Sequence, residues 1–160
     1  MIKVAIVDDN QINRKTIKEK LLPYQDIHLV FEASNGEEFF DKLKYIPKAD
    51  LPQVVLMDIE MPVLDGIATI SSASIKYPEI KHIVLTIYAD DDKIFEAIKA
   101  GASGYLLKED KAINIVEAIS NVVEFDGIPM SPAIARRAME LLREAPKPVV
   151  PVQNNPTESQ

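Results

Sequence analysis

Residues 53–66 read QVVLMDIEMPVLDG. Val54, Val55, Leu56 and Met57 are apolar without alternation, and the run stops at Asp58. A strand with one wet face alternates apolar and polar residues, whereas a strand covered on both faces does not. This run therefore reads as an interior strand of a parallel sheet. Met61-Pro62 and Asp65-Gly66 then shape a loop, with Asp65 placed to cap a helix, so that the stretch presents Asp58 at a strand end.

The same texture recurs along the chain. Ile2–Val7, Ile27–Phe31, Gln53–Met57, His82–Leu85 and Tyr105–Leu107 are five short apolar runs rich in Val, Ile and Leu. Helical spacing fills the intervals: Phe39, Phe40, Leu43 and Ile46 form one stripe, and Ile94, Phe95 and Ile98 a shorter one. Ala112, Ile115, Val116, Ile119, Val122 and Val123 form the clearest. Strands alternating with helices predict an α/β fold: a doubly wound five-stranded parallel sheet, joined by right-handed crossovers. No period of 20–50 residues repeats.

Composition narrows the class. Hydrophobic residues make up 47% of the 160, ordinary for a soluble globular protein, and no apolar run approaches membrane-spanning length. The opening MIKVAIVDDN starts as a strand and lacks a signal peptide's apolar core and cleavage site. There is no cysteine, which excludes disulfides and thiolate chemistry and fits a cytoplasmic location. Basic and acidic groups balance within residues 126–160, so residues 1–125 carry the whole net charge of −7. Such a surface repels DNA phosphates, and specific DNA binding by this chain alone is not expected.

The last 35 residues differ. Ser131-Pro132 is a helix start, with Ser as N-cap and Pro at the first helical position. Ile134, Ala138 and Leu141 give a one-sided stripe on a helix ending near Ala145, and APKPVVPVQNNPTESQ follows with a linker's composition. Six of eleven prolines lie beyond Gly127. The expected division is a domain over 1–127, a linker helix over 128–145 and a flexible Pro-rich tail over 146–160.

Polar residues collect at the strand ends. Asp8 and Asp9 follow the first strand, Asp58 the third, Thr86 the fourth and Lys108 the fifth. Sites in open parallel sheets form at the carboxyl ends of strands, where strand order reverses. With order 2-1-3-4-5, three carboxylates meet there, and their repulsion calls for a cation; an all-oxygen donor set of this size suits Mg2+. Lys108 adds a mobile positive charge and Thr86 a hydroxyl, both suited to phosphoryl oxygens. Together these groups suit phosphoryl transfer to an aspartate. Taken singly each is weak, since an Asp after a strand more often caps a helix; the weight lies in all five falling at four strand ends.

The residues that carry this site resemble a known family. Asp8-Asp9 after IKVAIV, MDIEMPVLDG with Asp58, LTIYA with Thr86, and GASGYLLKED with Tyr105 and Lys108 look like the receiver domain of response regulators, in order over residues 2 to about 125. Lys108-Glu109 resembles the NarL/FixJ (LuxR-type) subgroup, as does Gly127–Pro132 with the helix after it; many other receivers have a proline after this lysine. The resemblance implies a flavodoxin-like receiver fold and a phosphorylation-dependent switch in a two-component system. Asp58 would be the phosphoacceptor, taking its phosphoryl group from a sensor histidine kinase. Asp8 (through water), Asp9, Asp58 and the Glu60 backbone carbonyl would hold Mg2+, and Lys108 and Thr86 would bind the phosphoryl group. Thr86 and Tyr105 would form the switch, Tyr105 turning inward as Thr86 moves. Glu60 and Tyr88 would flank the pocket and govern water's access to it. The subgroup's helix-turn-helix domain would begin after Gln160, so DNA would be reached only through a domain absent from this chain; a homodimer is a further candidate assembly.

Other features read blandly. His28 and His82 are isolated and fit structural positions, and the five glycines form no P-loop or GxGxxG. No enzymatic activity is expected. An aspartate-nucleophile phosphatase would want a second Asp where Glu60 stands, and a flavodoxin-like cofactor binder would not place Asp8-Asp9 in its phosphate loop. A stand-alone receiver acting by protein contact shares all the chemistry.

Overall fold

The computed structural model describes residues 1–87 and 90–144. Five strands, β1 (Ile2–Val7), β2 (Ile27–Ala33), β3 (Val54–Met57), β4 (Lys81–Thr86) and β5 (Gly104–Leu107), form one sheet in the order β2-β1-β3-β4-β5. Every pairing is parallel, as expected from the unbroken apolar runs. The helices are α1 (Gln11–Leu21), α2 (Gly36–Tyr45), α3 (Gly66–Lys76), α4 (Asp91–Ala100), α5 (Ala112–Glu124) and α6 (Pro132–Glu144).

Two cores explain why the strands do not alternate. Val4, Ile6, Val54, Leu56 and Ile83 face one side and pack with Ile17 and Leu21 of α1 and Ile115, Ile119 and Val122 of α5. Ala5, Val7, Val55, Met57 and Val84 face the other, with Phe39 and Leu43 of α2, Ile70 of α3 and Ile94 of α4. Successive strand residues thus enter opposite cores, and both must be apolar.

Several boundaries move for identifiable reasons. β2 continues past Phe31 to Ala33, because Ile6 and Val7 still need partners and a register shift beside Val4 and Ala5, which leaves Val30 unpaired, carries the ladder one residue farther. Ile46 lies beyond α2 on extended backbone. On α4, Phe95 and Ile98 are about half exposed, at 50% and 46%, and the inward companion of Ile94 is the small Ala97. The sequence shows no clear stripe for α1, whose buried face is only Ile17 and Leu21.

α6 is docked on the sheet and its helices. Ile134 is fully buried and Ala138 and Leu141 pack against the same core, while Arg137 forms an ion pair with Asp91 at the start of α4 and another with Glu140. Ser131 does precede the helix, but its hydroxyl does not cap it: it accepts from Leu107 N–H at 3.0 Å and donates to the Asp110 carboxylate. Met130 forms an isolated parallel bridge with Tyr105, which extends the sheet beyond β5. The tail assigned to 146–160 lies outside the described residues.

Candidate functional site

Asp8 and Asp58 leave the carboxyl ends of adjacent strands. The Asp58 backbone N–H donates to Val7 O at 2.9 Å, one step past the β1–β3 ladder, and Asp8 N–H donates to Ala33 O at 3.0 Å. Both side chains are buried, Asp8 at 1% and Asp58 at 7% exposure. Asp9 is exposed beside them, and one carboxylate oxygen from each of the three lies within 4.8 Å of the others. Asp65 caps α3 by accepting from Ala68 N–H at 2.8 Å, and Gly66 follows it. A Cβ at Gly66 would stand 2.0 Å from Asp58 O, so only glycine lets this loop close over the Asp58 backbone.

Lys108 enters from β5. Its ammonium is 2.6 Å from Asp8 Oδ2 and 3.4 Å from Asp58 Oδ1, and its backbone N–H donates to Thr86 O at 2.8 Å. The Asp8 contact is an ion pair without hydrogen-bond geometry, so the buried Oδ2 has no hydrogen-bond donor among the described residues. One ammonium thus serves two buried carboxylates, with the exposed Asp9 carboxylate close to both. Burial, then the Asp8 charge, push the Asp58 carboxyl up to about 6 despite Lys108. A group held there against its own neighbours favours a second cation, and the all-oxygen donor set suits a hard divalent ion.

Thr86 ends β4 and is fully buried, and Tyr105 lies on neighbouring β5 at 1% exposure, in the core beneath α6. Burial, with Asp90 and Asp58 nearby, raises the Tyr105 hydroxyl well above its ordinary pKa. Glu60 turns its exposed carboxylate toward Lys93, 3.8 Å away, at the mouth of a cavity of about 340 Å3 that Asp9 also lines. Tyr88 lies outside the described residues. His28 is exposed on β2, and His82 is buried in the core with its ring edge-on to Phe39; neither joins the metal-ligating group found among the described residues.

Three supporting contacts have no sequence signal, because their partners are distant in the chain or are main-chain atoms. Arg14 donates to Asp8 O at 2.6 Å while pairing with Glu32. Lys20 on α1 donates to Lys108 O at 2.8 Å and Asp110 O at 2.9 Å. Ser131 holds the other side of that turn.

The family model for the response regulator receiver domain matches residues 4–120. The chain belongs to that family. The receiver is 38% identical over 122 residues to the transcriptional regulatory protein LnrK of Bacillus subtilis (strain 168), covering 76% of this chain and 54% of that protein. It is also 38% identical over 119 residues to LiaR of the same strain, covering 74% and 54%. The receiver chain spans about half the length of the curated relatives it matches. Among solved structures it is similar to a LuxR-family two-component response regulator from Aurantimonas sp. SI85-9A1, with 25% identity and a TM-score of 0.79. That match covers 89% of this chain and 98% of the other. These likenesses agree with the LuxR-type resemblance of the stretch around Lys108. No helix among the receiver's described residues is long and apolar enough to cross a membrane.

Proposed function

We propose that this receiver accepts a phosphoryl group on Asp58 from a sensor histidine kinase and passes the change to an output domain. The observation that carries the reading is Asp58 itself: a buried carboxylate at a strand end, opposed by Asp8 and facing the Lys108 ammonium. An Asp58 oxygen attacks the phosphorus of the kinase phosphohistidine as the P–N bond breaks, and the leaving imidazole keeps the electron pair and takes a proton. Lys108, between Asp8 and Asp58, is poised to follow the new charge, and the Thr86 hydroxyl sits at the adjoining strand end. Asp9, Asp58 and the Glu60 carbonyl, with Asp8 through water, would hold Mg2+, which when bound offsets phosphoryl charge.

Thr86 at the end of β4 and Tyr105 on adjacent β5, whose register partner is Val84, form the switch toward α4, and the new charge shifts the balance between two packings. Residues 1–127 act as the receiver, 128–145 as a linker helix and 146–160 as a flexible connection. The setting is cytoplasmic, a second copy of the chain is a candidate partner, and DNA is reached through a domain beyond this chain, as in regulators of transcription. Incubation with acetyl phosphate and Mg2+ tests the assignment. One phosphate should appear by intact mass, stable to acid and labile to base, and Asp58→Asn should take none. Equal phosphorylation of that variant would refute the site.

A further inference from the structure

The turn from Leu107 to Asp110 carries Lys108, yet residue 109 is Glu, so no proline ring stiffens it. Hydrogen bonds hold it instead. Asp110 N–H closes the turn on Leu107 O at 3.0 Å, and Lys20 ties down the Lys108 and Asp110 carbonyls from the α1 side. On the opposite side both ends of the turn meet one hydroxyl: Ser131 Oγ accepts from Leu107 N–H and donates to the Asp110 carboxylate. Ser131 is 3% exposed, and its backbone is pinned as well, for its N–H donates to Tyr105 O at 3.1 Å. Tyr105 N–H in turn donates to Pro129 O at 3.0 Å. A Cβ at Gly104 would lie 2.8 Å from Pro129 O, so the linker's approach to β5 requires glycine at that position.

We propose that Ser131 is a positioning residue for the phosphorylation site, pinning the turn that carries Lys108, so that seating of α6 and loading of Asp58 favour one another. The inference rests on the reading of Asp58 given above. The linker helix begins at the next residue, so whatever lifts α6 pulls Ser131 from the turn and frees Lys108 to wander. Coupling between two sites is reciprocal: a group on Asp58 that holds Lys108 in place must hold α6 down. Phosphorylation on this account tightens the linker rather than releasing it.

The test uses the full 160-residue chain with Ser131→Ala and Ser131→Thr; a cleft of about 320 Å3 beside Ser131 leaves room for the added methyl. With acetyl phosphate and Mg2+, Ser131→Ala should slow Asp58 phosphorylation about tenfold, the scale of one lost charge-assisted hydrogen bond, and Ser131→Thr should restore it. Beryllofluoride with Mg2+, a phosphoryl mimic, should slow amide exchange across residues 132–144 in wild type and Ser131→Thr but not in Ser131→Ala. Should Ser131→Ala not fold by circular dichroism, Asp110→Ala, which removes the hydroxyl's acceptor, answers through the same two readouts. A wild type that takes no phosphate on Asp58 overturns the functional reading and this inference with it. A wild type that is phosphorylated, beside a folded variant with unchanged rate and unchanged beryllofluoride response, overturns this inference alone.

Discussion

Replacing Asp58 with asparagine should make the metal-free protein more stable at neutral pH while removing its phosphoacceptor. The carboxyl stands at about 6 in the folded chain against 3.8 for a free aspartate, chiefly through burial and the charge of Asp8. That difference corresponds to about 3 kcal/mol at 1.36 kcal/mol per pKa step, an upper figure for a site that can relax. The sign follows from the raised value. Below about pH 3.8 the group is neutral in both states and costs nothing; the cost grows as pH rises through 6 and is complete near 7.5. Asparagine is neutral throughout and close in shape. The variant should therefore match wild type near pH 3.5 and exceed it by up to about 3 kcal/mol near pH 7.5, roughly 6–12 °C in Tm for a chain of this size. His82 titrates in both proteins and drops out of the difference. Unfolding followed by circular dichroism in EDTA across this range measures the gap, and saturating Mg2+ should narrow it by stabilising only the wild-type pocket. A variant no more stable than wild type at pH 7.5, or one whose advantage persists unchanged at pH 3.5, would refute the reasoning.

Asp9→Ala should weaken Mg2+ binding about tenfold or more, since it removes an oxygen donor from an acidic site; unchanged affinity by titration would exclude Asp9 as a ligand. Thr86→Ala should still accept phosphate yet show smaller phosphate-induced amide shifts at Tyr105, and a shift map identical to wild type would count against the coupling. Burial lowers the His82 imidazole to about 4 from 6.5, and neither ring nitrogen has a hydrogen-bond partner among the described residues. The folded state thus resists protonation, and stability should fall by about 3 kcal/mol as pH drops from 6.5 through 4. His82→Leu should remove that component, and an acid limb of the same steepness in the variant would assign it to other groups.

The strands were legible in sequence because burial on both faces leaves unbroken apolar runs, and a polar residue where such a run ends marks the end of the sheet. Asp8, Asp9, Asp58, Thr86 and Lys108 could therefore be grouped before any geometry was known: a parallel sheet brings its strand ends to one edge. Boundaries were less legible where contacts rather than composition set them. β2 runs on to Glu32 and, through a register shift against β1, to Ala33, and α4 buries Ala97, an unremarkable alanine in the sequence, while Phe95 stays half exposed. Three-dimensional packing alone decided what braces the site. Lys20 and Arg14 donate to main-chain carbonyls of residues 108 and 8 and Ser131 accepts from the Leu107 N–H, and nearly every residue carries both groups, so no side-chain pattern announces such a bond. Ser131 illustrates the limit: its place before Pro132 correctly marked a helix start, yet its hydroxyl serves a turn 21 residues back, because docking α6 brings the Asp110 carboxylate within its reach.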